Sequence, residues 1–427
     1  MGRPNVVIFY TDDQGTMDAG CYGSVDLKTP HMDGLAGRGI RFTQAYAHTV
    51  CCPSRSALLT GRFPQRSGIN DWASNHVSDE KGINMFLDEV TIAQILKAEG
   101  YRTALFGKWH VGAKLEHGPN AFGFDEFFGH RCGFIDNYKH MFLHSNRGQP
   151  PFHDLWRDLE EVFEDGVYFS DLVVREAHRF LDEAGDDPFF LYLPFNLPHY
   201  PYQPDGKFVD DYKDLPEPRS LYAPMVATVD DRIGQVIQKI DDLGMRDNTL
   251  IIYMSDNGHS VETFQSWGME YGAHGGGGNT GRWRGHKGTF YEGGIRVPAI
   301  VSFPGHIPQG EVRDQAMTNM DFLPTILEML GIEGPDCEID GKSLWPIIRD
   351  ENAASEYDVL HFQWQNNWMV REGDWKLISA RNGEELVTLA GDAPECENFI
   401  EDEFDRADHL RALHETWAKQ VVREGSV

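Results

Sequence analysis

Short hydrophobic runs alternate with longer amphipathic stretches along most of the chain. Continuous runs rich in β-branched or aromatic residues, typical of strands buried on both faces, lie at residues 5–10, 101–106, 189–195, 250–255 and 299–303. Hydrophobic residues recur with helical spacing between these runs, at residues 91–99, 169–184, 223–243 and 321–330. This alternation predicts an α/β fold in which helices sandwich a mostly parallel sheet.

The pattern changes towards the carboxyl end of the chain. An acidic, polar stretch at residues 349–356 is typical of a linker. A helical pattern over residues 405–422 ends the chain, and strand-like segments separated by turns precede it at residues 361–364, 368–372 and 375–380. We therefore predict a large domain at residues 1–348 and a smaller C-terminal α+β subdomain at residues 349–427, with an antiparallel sheet covered by one helix.

The composition of the 427-residue chain is that of an ordinary globular protein, with 41% hydrophobic and 25% charged residues. Its net charge of −29 argues against nucleic acid or an anionic membrane as a partner, because both require a basic face. No apolar run approaches the roughly 20 residues needed to span a bilayer. The first residues lack signal-peptide features, so we expect a cytoplasmic protein or an exported one whose signal has been removed.

Acidic and amide side chains follow two of the predicted strands. Asp12 and Asp13 come directly after the first strand, and Asp256 and Asn257 come directly after the fourth. Ligands of open α/β sheets bind at the carboxyl ends of strands, although an Asp-Asp pair is also common in turns and N-caps. Oxygen ligands without a Cys or His cluster suit a hard divalent cation, so we expect Ca²⁺, with Mg²⁺ as second choice.

Basic side chains follow two other predicted strands. Lys108 and His110 are two residues apart, so an extended backbone directs both side chains to the same side. His199 lies between Pro198 and Pro201, which restrict the backbone on either side of it. Isolated Lys and His residues are usually found on the surface, but their position just past buried strands makes these three candidates for a site.

Cys51 lies at a predicted helix start, because Pro53 is tolerated in a first helical turn and residues 54–59 can continue the helix. Unpaired backbone N–H groups at this position suit an anionic substrate, and Arg55 can turn back over the same spot. A simpler interpretation is that Cys51 and Cys52 are core cysteines or part of a disulfide.

The longer string around Cys51 favours a catalytic interpretation. Cys51-x-Pro-Ser-Arg followed by Ala-Leu-Leu-Thr-Gly-Arg resembles the signature of type I sulfatases. Further strings stand in that family's order, namely Asp12-Asp13, Gly107-Lys108-Trp109-His110, Pro198-His199, Asp256-Asn257-Gly258 and Lys287 with Glu292-Gly293-Gly294. The resemblance implies an alkaline-phosphatase-like α/β fold with a smaller C-terminal subdomain, and the large domain is then the catalytic one.

Within the family the chain resembles the arylsulfatase B (N-acetylgalactosamine-4-sulfatase) type. This narrower resemblance rests on residues 136–138, 153–155 and 284–287. One departure is Leu386-Val387-Thr388-Leu389, where the family usually has Leu-Tyr-Asp-Leu. The departure concerns packing of the C-terminal subdomain and leaves the residues of the site unchanged.

The resemblance also implies a mechanism for hydrolysis of a sulfate ester. A formylglycine-generating enzyme would oxidise Cys51 to an aldehyde, which hydrates to a gem-diol that attacks sulfur. Arg55 would hold the charge of the hydrate, while Lys108 and Lys287 would clamp the sulfate oxygens. We expect His199 to protonate the leaving alcohol and His110 to orient the diol, although these two roles could be exchanged. The expected metal ligands are Asp12, Asp13, the modified Cys51, Asp256 and Asn257.

Two other functions compete with this prediction. A formylglycine-dependent phosphodiesterase or phosphonate monoester hydrolase could use the same scaffold, and a catalytically silent carbohydrate-binding homologue would have lost a polar site residue.

An aromatic and His-rich rim at residues 130–156, with Trp267 and Trp283, suits stacking on a sugar ring. We therefore expect a sulfated saccharide ahead of a simple aryl sulfate as substrate, and the sequence predicts no oligomeric state.

Overall fold

One large sheet carries the site, and the computed structural model describes it within residues 3–73, 76, 82–143, 151–264 and 273–423. The described strands are β1 (Asn5–Asp12), β2 (Ile40–Phe42), β3 (Ala45–Tyr46), β4 (Arg102–Lys108), β5 (Glu126–His130), β6 (Met141–Phe142), β7 (Phe152–His153), β8 (Trp156–Arg157), β9 (Glu160–Glu161), β10 (Phe189–Pro198), β11 (Thr249–Ser255), β12 (Thr263–Phe264), β13 (Ala273–His274), β14 (Ala299–Ser302), β15 (Glu311–Arg313), β16 (Met317–Thr318), β17 (Val359–Trp364), β18 (Asn367–Glu372), β19 (Trp375–Ala380) and β20 (Gly383–Thr388). The described α-helices are α1 (Pro30–Gly37), α2 (Cys51–Thr60), α3 (Ile92–Ala98), α4 (Phe169–Ala184), α5 (Val209–Tyr212), α6 (Arg219–Asp242), α7 (Glu292–Ile295), α8 (Phe322–Leu330), α9 (Trp345–Arg349) and α10 (Phe404–Val421).

The large sheet is mixed, with a parallel centre. Its strand order across the described residues is β15-β2-β14-β11-β1-β10-β4-β5-β8-β9. The five central strands pair in parallel, in the order β11, β1, β10, β4 and β5. On either side of them, β14 pairs antiparallel with β11, and β8 pairs antiparallel with β5. The predicted strand at residues 299–303 therefore exists as β14 but runs against the central strands.

Helices cover both faces of this sheet, because alternate residues of the central strand are directed to opposite sides. Val6, Ile8 and Tyr10 of β1 belong to a core that includes residues of α2, α3, α8 and α9. Val7 and Phe9 belong to a second core, which includes residues of α1, α4 and α6. This arrangement confirms the predicted α/β fold class with helices on both faces.

The C-terminal subdomain has the predicted antiparallel sheet and helix, and its sheet has one strand more than predicted. Strands β17, β18, β19 and β20 form an antiparallel sheet in that order, and α10 packs on it through Ala407 and Leu410. The sequence did not predict β20 because Glu384 and Glu385 follow one another and interrupt the alternation of apolar and polar residues. The boundary near residue 348 stays a prediction.

Three further predictions can be compared with the described elements. Helix α4 has the predicted bounds, whereas α6 begins at Arg219 and not at residue 223, so that Pro224 lies inside the helix. Residues 144–150 of the predicted rim, and Trp267, lie outside the described residues. Among the described residues, no helix has both the length and the apolar character that crossing a membrane requires.

Candidate active site at the carboxyl edge of the sheet

Four neighbouring parallel strands end at one edge of the sheet, and a predicted site residue stands at the end of each strand or directly after it. Strand β1 ends at Asp12 and β4 ends at Lys108. His199 directly follows β10, and Asp256 directly follows β11. Because β11, β1, β10 and β4 are adjacent and parallel, these side chains lie together as the sequence predicted.

Cys51 is the first residue of α2 and faces this edge. Its side chain is buried, and its Sγ lies 3.7 Å from Oδ1 of Asp12. Burial raises the pKa of the Cys51 thiol well above its usual value, so the unmodified side chain is a poor nucleophile. Cys51 and Cys52 form no disulfide, and Cys52 Sγ accepts a hydrogen bond from the N–H of Ala73 instead.

Arg55 lies one helical turn after Cys51 and is fully buried. Its Nε and Nη2 donate to Oδ2 of Asp256 at 3.1 and 2.7 Å, and Nη2 lies 3.4 Å from Oδ2 of Asp12. Nη1 donates to the carbonyl oxygen of Lys108 at 3.1 Å. Arg55 therefore joins the ends of β1, β4 and β11 beneath the nucleophile position.

Asp13 is held on the other side of the site with a backbone φ of 64°, an uncommon conformation for a residue with a side chain. Lys287 Nζ contacts both of its carboxylate oxygens, at 2.9 and 3.0 Å. Asn257 Nδ2 donates to Oδ1 of Asp13 at 2.7 Å, and His199 Nε2 lies 3.5 Å from Oδ2. The strained backbone thus aims one carboxylate at three predicted site residues.

Lys108 and His110 complete the predicted set. Lys108 Nζ forms an ion pair with Asp12, and both side chains are fully buried. His110 has a φ of 56°, and its ring stacks on Trp72 with 6.3 Å between ring centroids. Neither ring nitrogen of His110 has a hydrogen-bond partner among the described residues.

Buried charges of both signs lie against one another in the site. The carboxylates of Asp12, Asp13 and Asp256 lie among the buried cations of Arg55, Lys108 and Lys287. Burial opposes ionisation of Asp12, yet Lys108 and His199 hold its pKa far below its usual range. Burial raises the pKa of Asp13 to about 6 even with Lys287 beside it, and burial with Asp12 nearby raises that of Asp256 to about 7.

The residues present fit a divalent metal ion. Ligand atoms of Asp12, Asp13 and His199 lie within 4.8 Å of one another, and so do those of Asp12, Cys51 and Asp256. The buried amide oxygen of Asn257 has no hydrogen-bond partner among the described residues, as expected for an atom that binds an ion. An added cation would favour the ionised forms of the crowded carboxylates. The group of Asp12 and Asp13 includes His199, for which the sequence had suggested only the role of proton donor.

Two glycine-containing motifs hold the Lys287 segment against the strand end. A Cβ on Gly258 would lie 1.9 Å from the carbonyl oxygen of Gly293, so the two backbones meet only because Gly258 has no side chain. The N–H of Gly258 donates to the carbonyl of Gly294 at 2.9 Å. This contact explains why the Asp-Asn-Gly and Glu-Gly-Gly strings occur together with one site.

The structure adds site residues that the sequence did not single out. Glu262 lies 3.4 Å from Lys287 Nζ and accepts a hydrogen bond from Tyr200 at 3.0 Å. Trp72 packs against His110 and lies 5.8 Å from Lys287 Nζ, and Phe134 stacks on His199. Phe134 lies in the aromatic rim predicted at residues 130–156, whereas Glu262 and Trp72 are isolated residues outside any motif and gave no signal in the sequence.

Oxygen ligands, lysines and a helix N-terminus at the carboxyl edge of a parallel sheet define a hydrolase for an anionic ester. The Sulfatase family model matches residues 4–332, and the model for the C-terminal region of N-sulphoglucosamine sulphohydrolase matches residues 281–421. The chain belongs to the sulfatase family, and it is a sulfuric ester hydrolase. The narrower prediction of an arylsulfatase B type stays a prediction.

Curated relatives agree with this assignment. N-acetylgalactosamine-6-sulfatase from Sus scrofa is 33% identical over 392 residues, which cover 87% of this chain and 71% of the relative. Arylsulfatase A from Homo sapiens is 34% identical over 405 residues, which cover 87% of this chain and 74% of the relative. Both relatives are sulfatases by name.

A solved structure shares the whole architecture. The crystal structure of Ps i-CgsB in complex with k-i-k-neocarrahexaose superposes with a TM-score of 0.86 at 28% identity, covering 99% of this chain and 94% of that chain. The coverage includes the C-terminal subdomain as well as the large sheet. The predicted family and fold are therefore confirmed together.

Proposed function

We propose that the chain hydrolyses a sulfate ester carried on a carbohydrate, with Cys51 oxidised to formylglycine as the nucleophile and Ca²⁺ as the bound ion. The observation that supports this most directly is the convergence of Cys51, Asp12, Lys108 and Lys287 at one buried strand edge. The aldehyde would be installed by a formylglycine-generating enzyme. Mg²⁺ is the second choice of ion, because the ligands are hard oxygen atoms.

The reaction proceeds in two steps, a displacement at sulfur followed by an elimination of sulfate. One hydroxyl of the hydrated aldehyde attacks sulfur, the bond between sulfur and the ester oxygen breaks, and the alcohol leaves with a proton. The second hydroxyl then loses its proton, the carbonyl group forms again, and sulfate is expelled. A serine at position 51 could not perform the second step, because it has only one hydroxyl.

Residues of the chain hold the sulfate group and move the protons. Lys108 and Lys287 contact Asp12 and Asp13 on opposite sides of Cys51, so their ammonium groups can clamp sulfate oxygens between them. When bound, the divalent ion adds positive charge to a site whose lysine and arginine charges are offset by carboxylates, which favours a sulfate anion. His199 donates a proton to the leaving alcohol, and His110 orients the nucleophile.

A carbohydrate substrate is supported by the aromatic surroundings and by the relatives. Trp72 is only partly buried and lies against His110, where its flat ring can pack on a sugar. One relative is named for a sulfated amino sugar, and a structural neighbour was solved with an oligosaccharide. Arylsulfatase A is also among the relatives, so an aryl sulfate is a suitable substrate for comparison.

Mass spectrometry of the tryptic peptide at residues 42–55 tests the nucleophile. We expect the aldehyde at position 51 in active protein made together with a formylglycine-generating enzyme. Cys52→Ala is a matched control, because it removes the neighbouring buried thiol and should leave the modification and the activity in place. Active protein with an unmodified thiol at Cys51 would disprove the mechanism.

A substrate panel tests the reaction class. Sulfated monosaccharides, an aryl sulfate, a phosphodiester and a phosphonate monoester should be compared by kcat/KM with the same modified protein. We expect a sulfated sugar to give the highest value, and a phosphodiester or phosphonate preference would assign the chain to the competing hydrolase class. Binding of sugar by fully modified protein without any turnover would instead identify a silent homologue.

The His199 assignment is tested by leaving groups of different basicity. His199→Ala should slow hydrolysis of an alkyl or sugar sulfate far more than that of an activated aryl sulfate, because a good leaving group needs no proton. Equal loss on both substrates would contradict the role. The same experiment with His110→Ala distinguishes the two histidines, since we expect equal loss there.

A further inference from the structure

A second cluster of metal-binding side chains lies outside the active site. His140, His153 and Asp165 each present a ligand atom, and these atoms lie within 4.8 Å of one another. The cluster lies beside the β6–β7 hairpin and shares no residue with the catalytic groups. His140 is buried, and His153 is partly buried.

The hydrogen bonds of His140 fix which ring nitrogen is available. Its Nε2 donates to the carbonyl oxygen of Val167 at 3.1 Å, because a carbonyl can only accept. Its buried Nδ1 has no hydrogen-bond partner among the described residues. In the neutral ring, whose proton is on Nε2, Nδ1 carries a lone pair. The backbone φ of 55° at His140 is uncommon for a residue with a side chain.

His153 has the complementary arrangement. Its Nδ1 lies 2.9 Å from Oε1 of Glu161, which accepts the proton of that nitrogen. Its buried Nε2 has no hydrogen-bond partner within the described ranges. The ring also stacks on Phe163 with 4.4 Å between centroids, which restricts its orientation. A carboxylate behind a histidine is the usual means of orienting a histidine that binds metal.

We propose that His140 Nδ1, His153 Nε2 and the carboxylate of Asp165 form a binding site for a divalent transition metal, of which Zn²⁺ is the expected ion. Two imidazole nitrogens and one carboxylate are a typical zinc ligand set, and a fourth position is left for water. The same set is a poor match for Ca²⁺, which takes six to eight oxygen ligands. The two cation sites of the chain therefore differ in ligand chemistry.

The cluster borders a cavity, and a hydrogen-bonded turn holds one of its ligands in place. A cavity of about 380 Å³ borders His153 and Asp165, so an ion can reach the cluster from outside. Asp136 Oδ1 accepts from the N–H groups of Tyr138 and Lys139, and the carbonyl of Asp136 accepts from the N–H of His140. The turn that presents His140 is thus fixed independently of any ion.

The ion would stabilise a wall of the active site. Phe152 precedes His153 and packs on Phe142, with 5.2 Å between ring centroids. Phe142 packs on Phe134, which in turn stacks on the catalytic candidate His199. A zinc ion that joins the hairpin to Asp165 would therefore restrain the aromatic contacts that support His199.

Metal uptake in excess Ca²⁺ tests the proposal without any assay of activity. Excess Ca²⁺ is included to fill the proposed oxygen-rich site, so that Zn²⁺ bound under these conditions reports the second cluster. We expect the full chain to bind one equivalent of Zn²⁺ and to give the visible absorption of tetrahedral Co²⁺ when Co²⁺ replaces it. His153→Phe keeps the stacking on Phe163 and should lose both signals.

Two further variants separate ligand loss from structural damage. Glu161→Ala leaves all three ligands in place and should weaken Zn²⁺ binding about 10- to 100-fold, as removal of an orienting partner usually does. His178→Phe is the matched control on α4 and should bind Zn²⁺ like the unaltered chain. Equal Zn²⁺ content in unaltered protein, His153→Phe and Glu161→Ala would overturn the proposal, as would the absence of Zn²⁺ uptake in the unaltered protein.

Discussion

His110 lies buried at the edge of the active site with both ring nitrogens lacking hydrogen-bond partners among the described residues. Burial and the nearby Lys108 lower its pKa far below the usual value, so the ring is neutral. A buried polar group without a partner costs free energy in the folded state. Such a cost is expected where a side chain waits for a substrate.

Replacement of His110 should therefore separate stability from activity. His110→Phe keeps the stacking on Trp72 and removes two unpaired nitrogens, while Phe fits the left-handed backbone at this position less well than His, so we expect the free energy of unfolding to change by less than about 1 kcal/mol. Activity should fall by about 100-fold, within the range for loss of one acid–base or orienting group. Urea unfolding and kcat/KM of fully modified protein measure the two effects.

Parallel loss of stability and activity in that variant would show that His110 has a structural role. Trp72→Leu provides the comparison, because it removes the stacking partner and leaves the imidazole in place. That change should lower stability through lost packing, with a smaller effect on the chemical step.

At this scale the sequence predicted the residues that follow strands and those in the motifs around Cys51 and Lys287, and it missed isolated residues such as Glu262. Asp12, Lys108, His199 and Asp256 could be placed because strand ends of a parallel sheet share one edge. The contact of Glu262 with Lys287 depends on the path of a loop, which no local pattern encodes. The pairing of Arg55 with Asp256 also differs from the expected role over the nucleophile, because the guanidinium lies against strand-end carboxylates.

Helices α1 and α6 are joined by a buried carboxylate. Asp230 of α6 accepts hydrogen bonds from the N–H groups of His31 and Met32 in the first turn of α1, at 3.2 and 2.8 Å. Burial raises the pKa of Asp230 to about 7, and the nearby Asp33 and Asp231 act in the same direction. Folded protein therefore binds a proton at Asp230 that the unfolded chain has released.

Stability should consequently depend on pH through this residue. Between about pH 4 and about pH 7 the folded state binds more protons than the unfolded state, so the free energy of unfolding falls as the pH rises. Asp230→Asn removes the titration and retains one acceptor oxygen. We expect urea unfolding to show unaltered protein losing stability relative to this variant across that window, and a relative gain would contradict the assignment.

The elements themselves were largely predictable, with exceptions that follow from tertiary packing. Helix α4 has a clear apolar stripe and the predicted bounds, whereas β20 carries adjacent glutamates and is specified by its pairing with β19. The antiparallel direction of β14 could not be predicted either, because a short apolar run reads the same in both directions.

The two parts of the chain meet through a buried ionic cluster. Lys376 of β19 contacts Glu292 and Glu395 at 2.9 Å each, and all three side chains are buried. Burial opposes ionisation of Glu292, yet Lys376 and Arg296 lower its pKa to about 2. Glu292 belongs to the Glu-Gly-Gly string that also positions the active-site edge, so the subdomain and the site share one support.

Removal of the central cation should destabilise the whole molecule. Lys376→Met leaves two carboxylates buried with less compensation, and we expect a loss of about 3–5 kcal/mol in the free energy of unfolding. Lys419→Met, on the partly exposed side of α10, is the matched control and should change stability by less than about 0.5 kcal/mol. A loss similar in both variants would show that the cluster does not join the two parts.

This junction was not predictable from the sequence. The acidic stretch at residues 349–356 indicated a linker before the C-terminal subdomain, while the partners of Lys376 lie 84 and 19 positions away in the chain. Ion pairs across such separations depend on the completed fold. The boundary near residue 348 stays a prediction from the sequence pattern.

The burial of Cys51 has a consequence for the time course of maturation. With 1% of its surface exposed, the thiol is out of reach of any converting enzyme once α2 has packed on the sheet. Under the proposed mechanism, oxidation of Cys51 would have to precede completion of the fold, and the two processes would compete for each newly made chain. The active fraction of a preparation would then be set by the ratio of two rates, so slower folding or more converting enzyme should yield higher specific activity from an identical sequence.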